Sequence, residues 1–339
     1  MTGFSKILIV QTAFAGDVIL ATPLAEALKR CFPSSEVHFL AIPGPAGLLK
    51  NNPFISRIWI YDKRGRDKSP LQLFAWMRRL KAEQFDLAVV PHRSIRSALL
   101  VRGAGIPRIV GFDRSAGRHL FTDVVEYPDC HEVERNLKLL SVLGCNERVP
   151  PKLFPGEEEE AGVNALLNET GMRDGPFIAM APGSVWATKR WLPGYFAETA
   201  RTIFERKGYR TVLIGGRSER ELGEFIRRKA GDAVVNSMGT LSHLASAALI
   251  RRSALMLSND SAPAHLAAAV NIPVIAVFGP TVPAFGFAPY GPHHIIVETD
   301  LVCRPCGIHG GKRCREAHFK CMRDILPGRI IGEIEKVLK

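Results

Sequence analysis

No run of about 18 consecutive apolar residues occurs in this chain, and its first residues lack a basic segment leading into a sustained apolar stretch. The expectation is a cytoplasmic protein with neither a spanning helix nor a signal peptide. Acidic residues are in deficit: 33 Asp and Glu stand against 45 Lys and Arg, a net charge of +12. Such an excess suits an anionic partner, whether nucleic acid, a membrane surface or a phosphorylated small molecule. Nucleic acid is the weakest of these, because there is no RNP-type aromatic motif, no C₂H₂ spacing and no long Lys/Arg run. Two phosphate motifs are also missing. Without G-x-x-x-x-G-K-[ST] there is no P-loop, and without G-x-G-x-x-G no dinucleotide fingerprint.

What is present is a pattern that runs through the chain twice. Its 339 residues exceed what one core usually supports, so two domains are expected. "KILIVQTAFAGDVILATPLAEALKRCFP" reads as a strand over 7–10, a tight loop, and a helix carrying Leu20, Leu24, Ala27 and Leu28. "EVHFLAIP", "DLAVVP" (86–91) and "RIVGF" (108–112) read as further strands separated by helical stretches. After Pro150-Pro151 the pattern restarts with the strand "PFIAMAPGS", a helix stopped by Gly208, the strand "YRTVLIGG" and a helix at about 218–230. "LMLSND", "APAHLAAAV" and "PVIAVFGPT" follow as strand, helix and strand. This alternation predicts an α/β protein of two doubly wound parallel-sheet domains, with ligands at the carboxyl ends of the strands and a cleft where the domains face each other. The expected boundaries are 1–165, 166–325 and a final helix over 326–339.

Three loops at such strand ends suit a nucleoside diphosphate. In "SNDSAPAHLAAA" (258–269) a helix begins near Ser261 with Pro263 in its first turn, so the N–H groups at 261–264, Ala262 among them, form an anion site. Alternatively Asp260 and Ser261 only cap the helix. "APGSVWATKRW" (181–191) offers Ser184 in the turn and Lys189 as a point charge for a phosphate, or a solvated loop lysine beside tryptophans. "LIGGRSEREL" (213–222) supplies Glu219 and Glu221 for a ribose hydroxyl. His265 faces either the phosphate or the core.

Together "GDVILATP", "PGSVWATKRW", "SNDSAPAHLAAA" and "VFGPT" resemble the motif set of family 9 glycosyltransferases, the ADP-heptose:lipopolysaccharide heptosyltransferases, with "PGS…TKRW" nearest the heptosyltransferase II branch. The resemblance runs from Lys6 to the end. It implies a GT-B fold with an N-terminal acceptor domain and a C-terminal ADP-heptose domain, and an inverting transfer that needs no metal cofactor. It implies that Asp17, in the loop with Gly16, is the general base on the acceptor hydroxyl; otherwise Asp17 is a helix cap. A helix N-terminus should favour the charged carboxylate. The implied acceptor is heptosyl-Kdo2-lipid A at the anionic cytoplasmic face of the inner membrane. Of six arginines between Pro91 and Leu120, Arg93, Arg96, Arg114 and Arg118 are the candidates to engage it, against a plain solvated basic face. The last helix, "PGRIIGEIEKVLK", would pack back onto the first domain, as in GT-B enzymes. Rival functions are a family member with another sugar or acceptor, a GT-B nucleotide-sugar epimerase, and a two-lobed solute-binding protein, which would need a signal peptide.

Seven cysteines in such a chain should be mostly reduced, with Cys31, Cys130 and Cys145 as ordinary residues. Cys303, Cys306, Cys314 and Cys321 are spaced C-x₂-C-x₇-C-x₆-C. Four thiolates within reach of one another would hold a structural zinc; otherwise these are reduced cysteines or an oxidation-prone loop.

Overall fold

The computed structural model describes residues 3–173 and 175–338. The chain divides into two compact units, Met1–Phe154 and Pro155–Lys339. The first holds six parallel strands, β1 (Lys6–Val10), β2 (Glu36–Ala41), β3 (Arg57–Ile60), β4 (Leu87–Val90), β5 (Arg108–Phe112) and β6 (Asp123–Val125), in the order β3-β2-β1-β4-β5-β6. The helices are α1 (Ala15–Ala21), α2 (Pro23–Cys31), α3 (Pro70–Ala82), α4 (Ile95–Gly103) and α5 (Glu132–Lys138). After Lys6, β1 is a fully buried run of Ile, Leu and Val, and β4 one of Leu, Ala and Val, as strands covered on both faces must be. Pro23, which has no N–H to donate, divides the expected first helix into α1 and α2.

The second unit repeats the design with β7 (Phe177–Ala181), β8 (Arg210–Leu213), β9 (Val234–Asn236), β10 (Met256–Asn259), β11 (Val274–Phe278) and β12 (His294–Glu298), ordered β12-β11-β10-β7-β8-β9, all parallel. Its helices are α6 (Glu157–Glu169), α7 (Pro193–Lys207), α8 (Arg220–Ala230), α9 (His243–Arg251), α10 (Ala262–Ala269), α11 (Lys320–Arg323) and α12 (Pro327–Val337). Renumbered within each unit, both sheets read 3-2-1-4-5-6, the Rossmann order. It reverses at one place, between β1 and β4 in the first sheet and between β7 and β10 in the second, and there ligands bind beyond the strand ends.

Three expectations need correction. The division falls at 154/155 rather than 165/166, because α6 packs on α9 and so belongs with the second sheet. Ile330, Ile331 and Ile334 of α12 sit in the second unit's own core beside Trp191 and Phe196, with α12 packed along α7. Cys31 and Cys145 are not separate thiols but a disulfide, their Cα atoms 5.9 Å apart, joining the end of α2 to the loop that follows α5. Among the described residues no helix is long and apolar enough to cross a membrane.

Candidate functional site

In the first unit, the residues after β1 and β4 build a polar floor at the switch point. Thr12 Oγ1 lies 3.0 Å from His92 Nδ1 and accepts from Lys63 Nζ at 3.1 Å; the same His92 nitrogen is 2.8 Å from Ser97 Oγ. Burial pulls Lys63 down to about 8, helped by Arg64 and Arg96. It pushes His92 down to about 3, with Lys63, Arg93 and Arg64 adding repulsion, so this imidazole is neutral at physiological pH. None of Lys63, His92 or Thr12 stood out in the sequence, for each is an isolated polar residue until the parallel sheet brings the ends of β1, β3 and β4 to the same edge.

Asp17 occupies the first turn of α1, half-buried, with Oδ2 accepting from the Phe14 N–H at 3.1 Å. That bond is a helix-capping contact made from the third helical position, Phe14 itself being the N-cap residue. Its carboxyl is pushed above the ordinary 3.8 by desolvation, which outweighs the bonds from the Phe14 and Asp17 backbone and the field of Arg93. The helix terminus was expected to hold Asp17 toward the charged form; burial wins instead, which makes it a better base. A second carboxylate, Glu132 on α5, is also raised by burial, with the charge of Asp17 acting the same way against the opposing Arg135. Glu132 Oε2 accepts from Tyr127 Oη at 3.2 Å and Arg135 Nη1 at 3.1 Å. Around the Tyr127 ring stand Arg93, Arg135 and Arg114, their guanidinium carbons 4.6, 4.7 and 5.3 Å from its centroid.

The arginine candidates therefore separate. Arg93 and Arg114 are exposed on the Tyr127 cluster, and Gly16 flanks Asp17 in α1. Arg96 is committed to structure: it donates to Tyr61 Oη at 2.5 Å, to the Lys68 carbonyl at 2.9 Å and to the Asp67 carbonyl at 2.6 Å. Arg118 is exposed and makes one long 3.5 Å bond to the Asp113 carbonyl.

In the second unit, Lys189 Nζ meets Asp260 Oδ2 at 2.5 Å, and Thr281 Oγ1 donates to the same oxygen at 2.6 Å. Asp260 Oδ2 thus already serves two donors. Asn259 fastens the two strand ends, accepting from Trp191 N at 2.9 Å and donating to the Pro182 carbonyl at 2.9 Å. Ser184 is buried, its Oγ accepting from Trp186 N at 3.3 Å. Ser261 is the N-cap residue of α10 without a side-chain capping bond, which argues against capping as its role. Pro263 has no N–H and Ala264 N donates to the Ser261 carbonyl at 3.1 Å, so the donors this end can turn to an anion are those of Ser261 and Ala262, fewer than the expected 261–264. His265 is buried in α10.

Of the two ribose candidates, Glu219 is the one beside the site. Its Oε2 accepts from Gly216 N at 2.9 Å, and its carboxylate lies so close over Gly183 that a Cβ there would collide with it. Glu221 is exposed in the first turn of α8.

The cysteine segment braces this site. Gly311 accepts from Thr188 N at 3.1 Å and Thr188 Oγ1 at 3.0 Å, holding the turn that presents Lys189. Arg304 donates to the carbonyls of Phe278, Gly279, Thr281 and Thr299 and to Glu298, tying down the loop that carries Thr281. Cys306, Cys314 and Cys321 line a small cavity with Thr188, but among the described residues no group of three or more His, Cys, Asp or Glu is arranged to hold a metal ion. The Cys306 thiol turns to the Cys303 carbonyl at 3.3 Å, and Cys303 Sγ lies 3.8 Å from His318 Nε2. Burial raises Cys321 to about 11, which keeps it a thiol.

Comparison with known proteins places the chain. Lipopolysaccharide heptosyltransferase 1 of Pseudomonas aeruginosa is 26% identical over 313 residues, 89% of this chain and 86% of that protein. The solved family 9 glycosyl transferase of Veillonella parvula superposes with TM-score 0.89 at 24% identity, covering 100% of this chain and 98% of its own. The E. coli ADP-heptose lps heptosyltransferase II superposes with TM-score 0.80 at 24% identity, covering 98% of each; the fold is that of the GT-B heptosyltransferase structures. A family model described as "Glycosyltransferase family 9 (heptosyltransferase)" matches residues 73–317, and the chain belongs to that family.

Proposed function

We propose that this protein transfers L-glycero-D-manno-heptose from ADP-heptose to the first heptose of the lipopolysaccharide inner core, with inversion and without a metal, at the cytoplasmic face of the inner membrane. The observation that carries the reading is that each unit has its own polar site beyond its switch point: in the first, Asp17 with a carboxyl raised by desolvation; in the second, Lys189 with the α10 N-terminus beyond β7 and β10.

In this mechanism Asp17 takes the proton from the acceptor hydroxyl as its oxygen attacks the anomeric carbon from the face opposite the leaving group. The bond from that carbon to the β-phosphate oxygen breaks, and ADP departs with the electron pair. Lys189 and the N–H groups of Ser261 and Ala262 meet the growing negative charge, the task a metal performs elsewhere. For this, donor binding first draws Lys189 from Asp260 to the phosphate, which frees Asp260 for the sugar hydroxyls. Glu219 takes the ribose. Arg93 and Arg114 suit the phosphates and Kdo carboxylates of the acceptor.

The test is mass spectrometry of a singly heptosylated inner-core acceptor after incubation with protein, ADP-heptose and EDTA. A gain of one heptose is expected. No gain, with ADP-heptose still bound in calorimetry, would move the reading to another acceptor; no binding would overturn the heptose donor.

A further inference from the structure

Helix α3 has an apolar side that the fold does not use. Trp76 and Leu80 point into the first unit's core, with Leu73 and Met77 packed beside them. On the opposite side, where a surface helix ordinarily carries polar residues, Leu71 is 81% exposed and Phe74 is 61% exposed. α4 packs alongside α3 and adds exposed Ile95 and Leu99. These side chains are set among cations: Lys68, Arg78, Lys81 and Arg102 are all exposed, and no acidic residue occurs from 68 to 82.

We propose that the α3–α4 face is a membrane-docking surface, on which Leu71 and Phe74 enter the headgroup region of an anionic bilayer while the surrounding lysines and arginines meet lipid phosphates. It rests on the proposed function only in giving the enzyme a lipid-borne acceptor to reach. Charge decides the occupant. A second copy of the chain would set the same cations against one another, and a soluble phosphate would leave Leu71 and Phe74 in water. An interfacial helix combines such a basic rim with a few large apolar side chains, and each cation near an anionic leaflet adds to the attraction.

The experiment is flotation of the full-length protein, without ADP-heptose, with vesicles of phosphatidylglycerol and phosphatidylethanolamine or of phosphatidylcholine alone. The anionic vesicles should carry the wild type, and Leu71→Asp with Phe74→Asp should lower the bound fraction at least tenfold. Arg78→Glu with Lys81→Glu should lower it too, most at low salt. Circular dichroism confirms that these surface variants fold, and heptose transfer to a deacylated, water-soluble acceptor should stay at the wild-type rate. Wild-type protein that ignores anionic vesicles, or apolar variants that bind like wild type, would overturn the proposal. So would variants that change the sedimenting mass but not vesicle binding, since the face would then join copies of the chain. Because flotation needs no turnover, failure of the heptosyltransferase reading would leave it unaffected.

Discussion

Lys189 and Asp260 form a 2.5 Å ion pair, with side chains only 12% and 7% exposed, across the ends of two strands that are adjacent in the sheet but far apart in sequence. Removing one partner leaves the other buried without compensation, a loss of roughly 3–5 kcal/mol for a buried pair. Lys189→Met should therefore lower the Tm and weaken ADP-heptose binding together. Adding Asp260→Asn should recover part of the Tm but none of the affinity. Calorimetry on the three proteins measures both, and a fully additive loss of Tm would show that the pair is not coupled.

Asp17→Asn should reduce turnover by about 10² to 10⁴, the usual share of a general base, with donor affinity unchanged. Because desolvation raises the Asp17 pKa above 3.8, activity in the wild type should fall as pH drops through that raised value, on the neutral side of an ordinary aspartate. The stability effect has the opposite sense. A raised folded-state pKa favours the protonated form, so the carboxylate costs stability once the pH has risen through that pKa. Asp17→Asn should thus raise the Tm at pH 7, and a lowered Tm would mean that the bond to Phe14 matters more than desolvation.

Glu219 and Glu221 were equal candidates on spacing and are unequal in place. Glu219→Ala should weaken ADP binding, as should Gly183→Ala, whose new methyl must displace the Glu219 carboxylate. Glu221→Ala, on an exposed turn, should leave the dissociation constant alone. Titration calorimetry with ADP separates them, and equal losses would remove Glu219 from the ribose role.

Arg93 and Arg96 should also part company. Arg96→Ala removes three donors to the 61–68 loop and should cost roughly 2 kcal/mol of stability. Arg93→Ala should hardly change the Tm but should raise KM for the acceptor, less so at high salt. Thermal melts with acceptor titrations at two ionic strengths provide the comparison.

How much of this was legible in the chain depended on how local each signal was. Buried inner strands are mostly continuous apolar runs, so β1, β2, β4, β5, β7, β8, β10 and β11 could be read directly. The short strands β3, β6, β9 and β12 lie toward the sheet edges and could not, since three to five residues such as "DVV" make a strand only when a neighbour pairs with them. Asp17, Lys189, Asp260 and Ser261 could be picked out because strand-to-helix turns concentrate function. Tyr127, Glu132 and Arg135 could not, for their chemistry exists only as a cluster.

The sequence by itself therefore determined the repeated α/β pattern, the loops that face ligands and the basic excess, because each follows from residue type and spacing along the backbone. Tertiary structure alone decided which charges are spent on the fold and which remain for a partner. It locked Arg96 into a loop, brought Cys31 to Cys145 and raised Asp17 by burial. Those outcomes depend on which groups lose water and which partner they meet, and neither is fixed until distant segments pack.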